Sequence, residues 1–236
     1  MQVPGYTTLT RLSGLMREMQ VVANNIANAE TTGYRQQGVL FSEYVARLGD
    51  GSVSMAAGRI GQTDLSQGTL KRTGGQFDLA IEGDGFFQVQ GPDGVRLTRA
   101  GAFSPGPAGE LLTMTGHVVL DAGGAPILVP PGAGDLAIAE DGTMSSAGRP
   151  VGQIGLVVPL DPRGLVREGD TLFRADAGVD PVTEPRLRQG FLESSNVDTL
   201  GQIARMVEVQ RAYELGQSFL DQEHERVKAA LLALSR

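Results

Sequence analysis

The two histidines, His117 and His224, are the only imidazoles in a chain of 236 residues that contains no cysteine. They fall in differently patterned stretches, and neither has a second histidine at metal-binding spacing. Each reads as structural. Lack of cysteine removes disulfide frameworks, thiolate zinc sites and cysteine nucleophiles. Glu82 and Asp84 flank Gly83, and Glu140-Asp141 precede Gly142. Paired carboxylates can serve as acid and base in glycoside hydrolysis, but Asp and Glu beside Gly are usually solvated turn formers. Gly83-Asp84-Gly85 and Gly132-Ala133-Gly134 do not open helices, so neither has the context of a dinucleotide or P-loop site. No EF-hand loop is present. The residues therefore predict no catalytic group, no cofactor and no metal. Two other classes stay open: a hydrolase using Glu82 and Asp84, and a secreted carbohydrate-binding β domain, which would need an aromatic platform in a chain without tryptophan.

The elements that would position such groups fall into three kinds. Leu9, Leu12, Met16, Met19, Ala23 and Ile26 recur in steps of three and four, a stripe narrow enough to need a partner helix. The matching stripe lies at the other end, at Ile203, Met206, Gln210, Tyr213, Gln217, Leu220, His224, Val227, Leu231 and Leu234. The terminal helices are thus predicted to pair in a coiled-coil-like way, with everything between them an insertion. Polar seam positions such as Gln210 and Gln217 weaken a pairing but fix its register. Thr7 or Thr8 suits the first N-cap and Ser195 or Asn196 the second. Asn24, Asn25 and Asn28 fall in the last turns of the first helix, where their amides can bond backbone or neighbours. Gly33 suits a left-handed residue ending that helix. Two solitary helices with one thin seam are marginal alone.

Between the helices the pattern changes twice. Val39 to Val45 suits either a short helix or extended chain, and 49–76 is rich in Gly, Ser, Thr and Gln, either a floppy linker or an arm. From Phe77 the period becomes two: Phe77, Leu79 and Ile81 alternate with Asp78, Ala80 and Glu82, a half-buried strand. Further strands are expected around 86–89, 95–99, 111–112, 118–120, 127–129, 136–138, 153–158 and 172–173, punctuated by Gly and Pro. Many short strands mean an antiparallel β domain of barrel or sandwich type. The expected division is a discontinuous helical domain from 1–35 and 190–236, an extended connector over 36–76, and a β-rich domain over 77–189. The fold class is mixed α and β.

Charge narrows the partners. Of the formal net charge of −7, residues 48–192 carry 11 basic and 17 acidic groups. An acidic middle without a basic stripe argues against nucleic acid and against an anionic membrane surface. No apolar run approaches the roughly 18 residues of a membrane span, and Thr, Arg and Ser interrupt any secretory h-region.

Ala23-Asn24-Asn25-Ile26-Ala27-Asn28-Ala29-Glu30-Thr31-Thr32-Gly33-Tyr34-Arg35 resembles the N-terminal signature of the flagellar rod and hook family of axial proteins. Ala80 to Phe87 is similar to that family's A-I-x-G-x-G-F-F, and Leu97 to Phe103 to its Y-T-R-x-G-x-F with Leu in place of Tyr. Leu112–Leu120, Leu192–Asp198 and Gln210-Arg211-Ala212-Tyr213-Glu214 resemble later motifs in the same order. Within the family, the opening residues Gly5 to Arg11, the Arg17-Glu18-Met19-Gln20 run and the short length look most like the proximal-rod member. The distal-rod member is the nearest rival and hook protein a more distant one. The resemblance implies a non-enzymatic subunit of a helical shaft that transmits torque and surrounds an export channel. It further implies partners among proximal and distal rod proteins, and passage through the flagellar type III export apparatus without a cleaved signal. The expected interface residues are Leu9, Leu12, Met16, Met19, Asn24, Asn25, Ile26, Asn28, Ile203, Met206, Gln210, Tyr213, Leu220, Val227, Leu231 and Leu234, with the three asparagines setting lateral register.

Overall fold

The computed structural model describes the backbone of residues 3–48, 51–130, 136–169 and 171–234, and side chains among these except at 3–7, 40–61 and 234. Gly132-Ala133-Gly134 and the side chains of Thr7 and Leu234 therefore lie outside the described residues. The chain is a mixed α and β protein with one helix near each end and a mainly antiparallel β region. It divides into two compact units: Met1–Ala27, Gln37–Asp64 and Asp198–Arg236 form one, Asn28–Gln36 and Leu65–Val197 the other.

In the first unit, α1 (Val3–Ala27) is centred on an unbroken run of good helix formers from Leu15 to Gln20, with Pro4 in the first turn where its missing N–H leaves no bond unmade. Helix α2 (Thr199–Leu234) runs for 36 residues, about 54 Å at 1.5 Å per residue. A third element completes the unit. Strands β1 (Gln37–Leu48) and β2 (Gly51–Thr63) pair antiparallel over their whole length, Leu48 opposite Gly51. Extended chain is thus the state adopted over Val39–Val45, and a hairpin occupies much of the stretch expected as a connector. The lone-helix difficulty is eased because the hairpin lies alongside α1.

The second unit is antiparallel throughout. Its strands are β3 (Leu70–Arg72), β4 (Leu79–Ile81), β5 (Phe86–Gly91), β6 (Gly94–Thr98), β7 (Phe103–Pro105), β8 (Leu111–Thr113), β9 (Val118–Leu120) and β10 (Leu136–Ile138). Then come β11 (Thr143–Ser146), β12 (Arg149–Gln153), β13 (Leu156–Pro159), β14 (Leu165–Glu168), β15 (Leu172–Ala175), β16 (Val179–Pro181), β17 (Leu187–Gln189) and β18 (Phe191–Glu193). The main sheet has the order β14-β15-β6-β5-β9-β8-β7, with β13 pairing both β5 and β16. A smaller sheet joins β10, β11 and β12, while β17 pairs β4 and β18 pairs β3. Residues 127–129, expected as a strand, hold a single isolated bridge, Leu128 to Glu110.

Successive side chains of a strand face opposite ways, so Phe86 and Phe87 enter two different apolar clusters. Phe87 packs with Leu79, Val89 and Phe103, and Phe86 with Leu97, Val157 and Phe173. Both faces of β5 are covered, and β4 is buried at Leu79, Ala80 and Ile81 alike. The alternation that suggested a half-buried strand therefore misjudges β4. Ala80 is small enough to be covered on the face that was expected to be wet.

Gly33 adopts φ +70° but lies six residues beyond the end of α1, so it caps no helix. Its reason is proximity. A Cβ there would stand 2.3 Å from the backbone nitrogen of Ala100. Gly33→Ala carries the left-handed penalty of about 1–2 kcal/mol together with that clash, and thermal unfolding should show the β-rich unit destabilised by at least that much.

Candidate functional site: a buried charge clasp and two helix faces

Three of the motif segments converge inside the β-rich unit. Glu193, at the end of β18, is fully buried and binds Arg35 through Nη2–Oε1 at 2.6 Å and Arg99 through Nη1–Oε2 at 3.3 Å. The N–H of Gly68 donates to the same Oε1 at 2.8 Å, and Arg99 donates to the carbonyl of Gly83 at 2.7 Å. Arg99 lies over the Phe86 ring, 5.2 Å from its centroid. Arg167 donates to the carbonyl of Arg35 and lies over both Tyr34 and Phe173, at 4.6 and 4.8 Å. One carboxylate thus faces two buried guanidinium groups. Burial lowers Arg99 to about 10, opposed by the charge of Glu193 and deepened by that of Arg35. A base whose pKa is depressed in the fold costs stability in full below its folded value, here about 10, and the cost fades as the pH rises from there toward the ordinary arginine value. The Glu193 carboxylate and the Arg35 and Arg99 guanidinium groups are buried together, so they act as a clasp.

Asn196, expected as a helix cap, belongs to the same unit. Its Oδ1 accepts from the N–H of Gln36 at 2.6 Å, and its Nδ2 donates to the carbonyl and hydroxyl of Ser66 at 3.0 and 3.2 Å. Helix α2 starts at Thr199, three residues later.

The residues weighed for chemistry are dispersed. Glu82 pairs with exposed Arg188 at 2.5 Å. Asp141 accepts from the N–H and hydroxyl of Thr143, and those bonds hold its carboxyl below the usual range. These are turn and surface roles. His224 is exposed on α2, His117 is half-buried beside a turn, and among the described residues no group of three or more His, Asp or Glu could hold a metal ion. No described helix is long and apolar enough to cross a membrane.

In the helical unit the two helices run antiparallel and meet at Leu12–Gly216, Glu18–Arg205 and Asn25–Gln202. The less exposed positions of α2 are Gln202, Met206, Val209, Ala212, Tyr213, Gly216, Leu220 and Glu223. Met206, Tyr213 and Leu220 belong to the expected seam. The alternate positions sit one residue earlier than expected, at 202, 209, 216 and 223 in place of 203, 210, 217 and 224. Ile203, Gln210 and Gln217 are exposed, as are Val227 (49%) and Leu231 (64%). On α1, Leu12 is buried and Met19 and Ile26 half-buried, but Leu9 (56%), Met16 (50%) and Ala23 are exposed. The expected stripes therefore divide between residues covered within the chain and residues left outside.

Asn25 corrects a second expectation. It is buried, its Oδ1 accepts from the N–H of Gln37 and its Nδ2 donates to the Gln37 carbonyl, both at 2.9 Å, with a further bond to Gln202 Oε1 at 3.1 Å. This amide joins the helix to the first residue of β1 within one chain, so it is not available to set lateral register. Asn28 accepts from the Thr31 hydroxyl at 3.0 Å, and Asn24 is exposed. Asn25→Ala removes partners from buried backbone groups and should destabilise the helical unit by about 1–3 kcal/mol, measurable in helix unfolding by circular dichroism. The buried pairs Arg35–Glu193 and Arg99–Glu193, and the pair of buried Glu18 with half-exposed Arg205, were missed by sequence reasoning. The available signal was charge inside otherwise apolar motif stretches.

Known families match in three places. A model described as flagella basal body rod protein covers residues 6–35, a flagellar hook protein FlgE/F/G D1 domain covers 80–146, and a flagellar basal body rod FlgEFG protein C-terminal model covers 188–232. The chain belongs to the flagellar basal-body rod protein family, whose members are structural proteins and not enzymes. More particularly, it is 39% identical to the flagellar basal-body rod protein FlgF of Caulobacter vibrioides over 98% of this chain and 97% of that protein. FlgF of Mesorhizobium japonicum is 40% identical over 91% of this chain and 90% of its own length. The rod protein FlgG of Bacillus subtilis is 32% identical over 89% and 90%.

Proposed function

We propose that the chain is a proximal-rod subunit of the flagellar basal body, a non-enzymatic building block that polymerises through its terminal helices. The observation that carries this reading is the unused half of the helical stripes. Leu9, Met16, Val227 and Leu231 keep the spacing of a seam yet are half exposed or more within one chain. A buried Leu contributes about 1.5–3 kcal/mol, so several such residues covered by neighbours supply a modest interface repeated along the shaft. Contacts that do not close on themselves give a helical polymer. In this reading α1 and α2 form the coiled-coil-like inner layer around the export channel, and the β-rich unit, of barrel or sandwich type, faces outward. Partners are other proximal- and distal-rod proteins, and the chain leaves by the flagellar export apparatus without a cleaved signal. The proximal assignment is supported by identities of 39, 40 and 34% to three proteins named FlgF, against 32% and below for those named FlgG. The distal rod is the alternative within the family.

Because the native chain has no cysteine, engineered pairs report contacts cleanly. Met16→Cys combined with Leu231→Cys should form disulfide-linked oligomers in isolated basal bodies. Oxidation that yields only monomer in intact basal bodies would count against this surface.

A further inference from the structure

We infer that the antiparallel register of α1 and α2 is set by unlike residues of α2, Gln202 and Gly216 in one seam row and Arg205 beside it, read by Asn25, Leu12 and Glu18 of α1. This rests on the assembly reading above and specifies what that surface depends on.

The covered seam of α2 repeats every seven residues in two rows. Met206, Tyr213 and Leu220 form an apolar row that tolerates sliding. The other row holds Gln202, Val209, Gly216 and Glu223, four chemically different residues. Gly216 sits against Leu12, where even a Cβ would stand 2.6 Å from Leu12 Cδ2. Gln202 meets the buried amide of Asn25 at 3.1 Å. Beside this row, Arg205 donates through Nε and Nη2 to Oε1 of Glu18, at 2.6 and 2.5 Å, and Glu18 is 7% exposed. Arg205 also meets Glu208 at 3.1 Å.

Sliding α2 by one repeat spoils all three contacts at once. Leu12 would meet Val209 or Glu223 in place of glycine. In one direction Glu18 would meet Ala212 and Asn25 would meet Val209; in the other they would lie level with Asp198 and Ser195, before α2 begins at Thr199. A buried carboxylate without its arginine is the costliest of these, since an uncompensated buried charge is strongly unfavourable. The apolar row alone would accept the slip. The consequence reaches the assembly surface, because a seven-residue slip displaces Val227 and Leu231 by about 10 Å along the axis. Glu18, Arg205 and Gly216 are thus positioning residues that fix where the free end of the seam is presented.

The test uses the full chain with spin labels at Ser13→Cys and Ala229→Cys, both exposed positions and separated mainly along the helix axis. The native sequence should show one distance. Glu18→Arg alone and Arg205→Glu alone should lose it, either to a population shifted by about 10 Å or to a broad distribution. The double exchange Glu18→Arg with Arg205→Glu should recover the native distance, and Gly216→Val should lose it independently. Single variants that keep the native distance overturn the inference, as does a double exchange that fails to recover it. Should the double exchange recover the distance but not swimming, the register code stands and the assembly reading fails.

Discussion

Glu193→Ala is expected to lower the stability of the β-rich unit by about 3–5 kcal/mol, the range for removing one partner of a buried ion pair. Glu193 is the one carboxylate bonded to the guanidinium groups of both Arg35 and Arg99, and all three side chains are buried or nearly so. Without it two positive charges remain in a region that already depresses Arg99. The N–H of Gly68 also loses its acceptor. Urea unfolding followed by far-ultraviolet circular dichroism would measure the loss, and a change below about 1 kcal/mol would mean that the cluster is not a clasp. The effect should be far larger than that of Glu82→Gln, because Glu82 and Arg188 are half exposed and such pairs contribute about 0–1 kcal/mol.

Leu231→Asp should abolish rod assembly and swimming while changing the stability of the isolated chain by less than about 0.5 kcal/mol. Leu231 is 64% exposed, so the single chain buries little of it. In the polymer the same carboxylate would have to be buried against apolar neighbours without a partner, which is strongly unfavourable. Leu220→Asp provides the contrast. Leu220 lies on the face covered within the chain, so that substitution should weaken the isolated helical unit as well as assembly. Basal bodies purified from each strain, together with melting curves of each protein, separate the two effects. Normal swimming by the Leu231→Asp strain would remove the seam from the assembly surface.

Met206, Tyr213 and Leu220 were legible because large apolar side chains at three-four spacing reveal a helix face directly. Gly216 and Val209 were not, since a glycine in a seam looks like a flaw until Leu12 is seen packed against it. Polar residues Gln202 and Glu223 hid the true phase of the other row, and Ile203 drew the expected seam one residue outward. The hairpin of β1 and β2 was overlooked for a different reason: Asp50-Gly51 is a strong turn dipeptide, but the small residues Gly, Ser and Ala that dominate 51–61 give no clear alternation beyond it. In the β-rich unit the strands near 86–89 and 95–99 were plain from the turns that bound them, Gly83-Asp84-Gly85 and Pro92-Asp93-Gly94. Those closing the fold at Leu187–Gln189 and Phe191–Glu193 were not, because three-residue strands carry too little periodicity to register. The clasp was hidden in plain view. Arg35, Arg99 and Glu193 each stood within a quoted motif, but only the fold shows that they are one group.

The most direct measurement is an image of the assembled basal body at side-chain resolution. The account predicts Leu9, Met16, Val227 and Leu231 packed against neighbouring subunits, with Glu18–Arg205 and Asn25–Gln37 still closed within each chain. Those four residues facing solvent, with the β-rich units carrying the contacts between subunits, would contradict it.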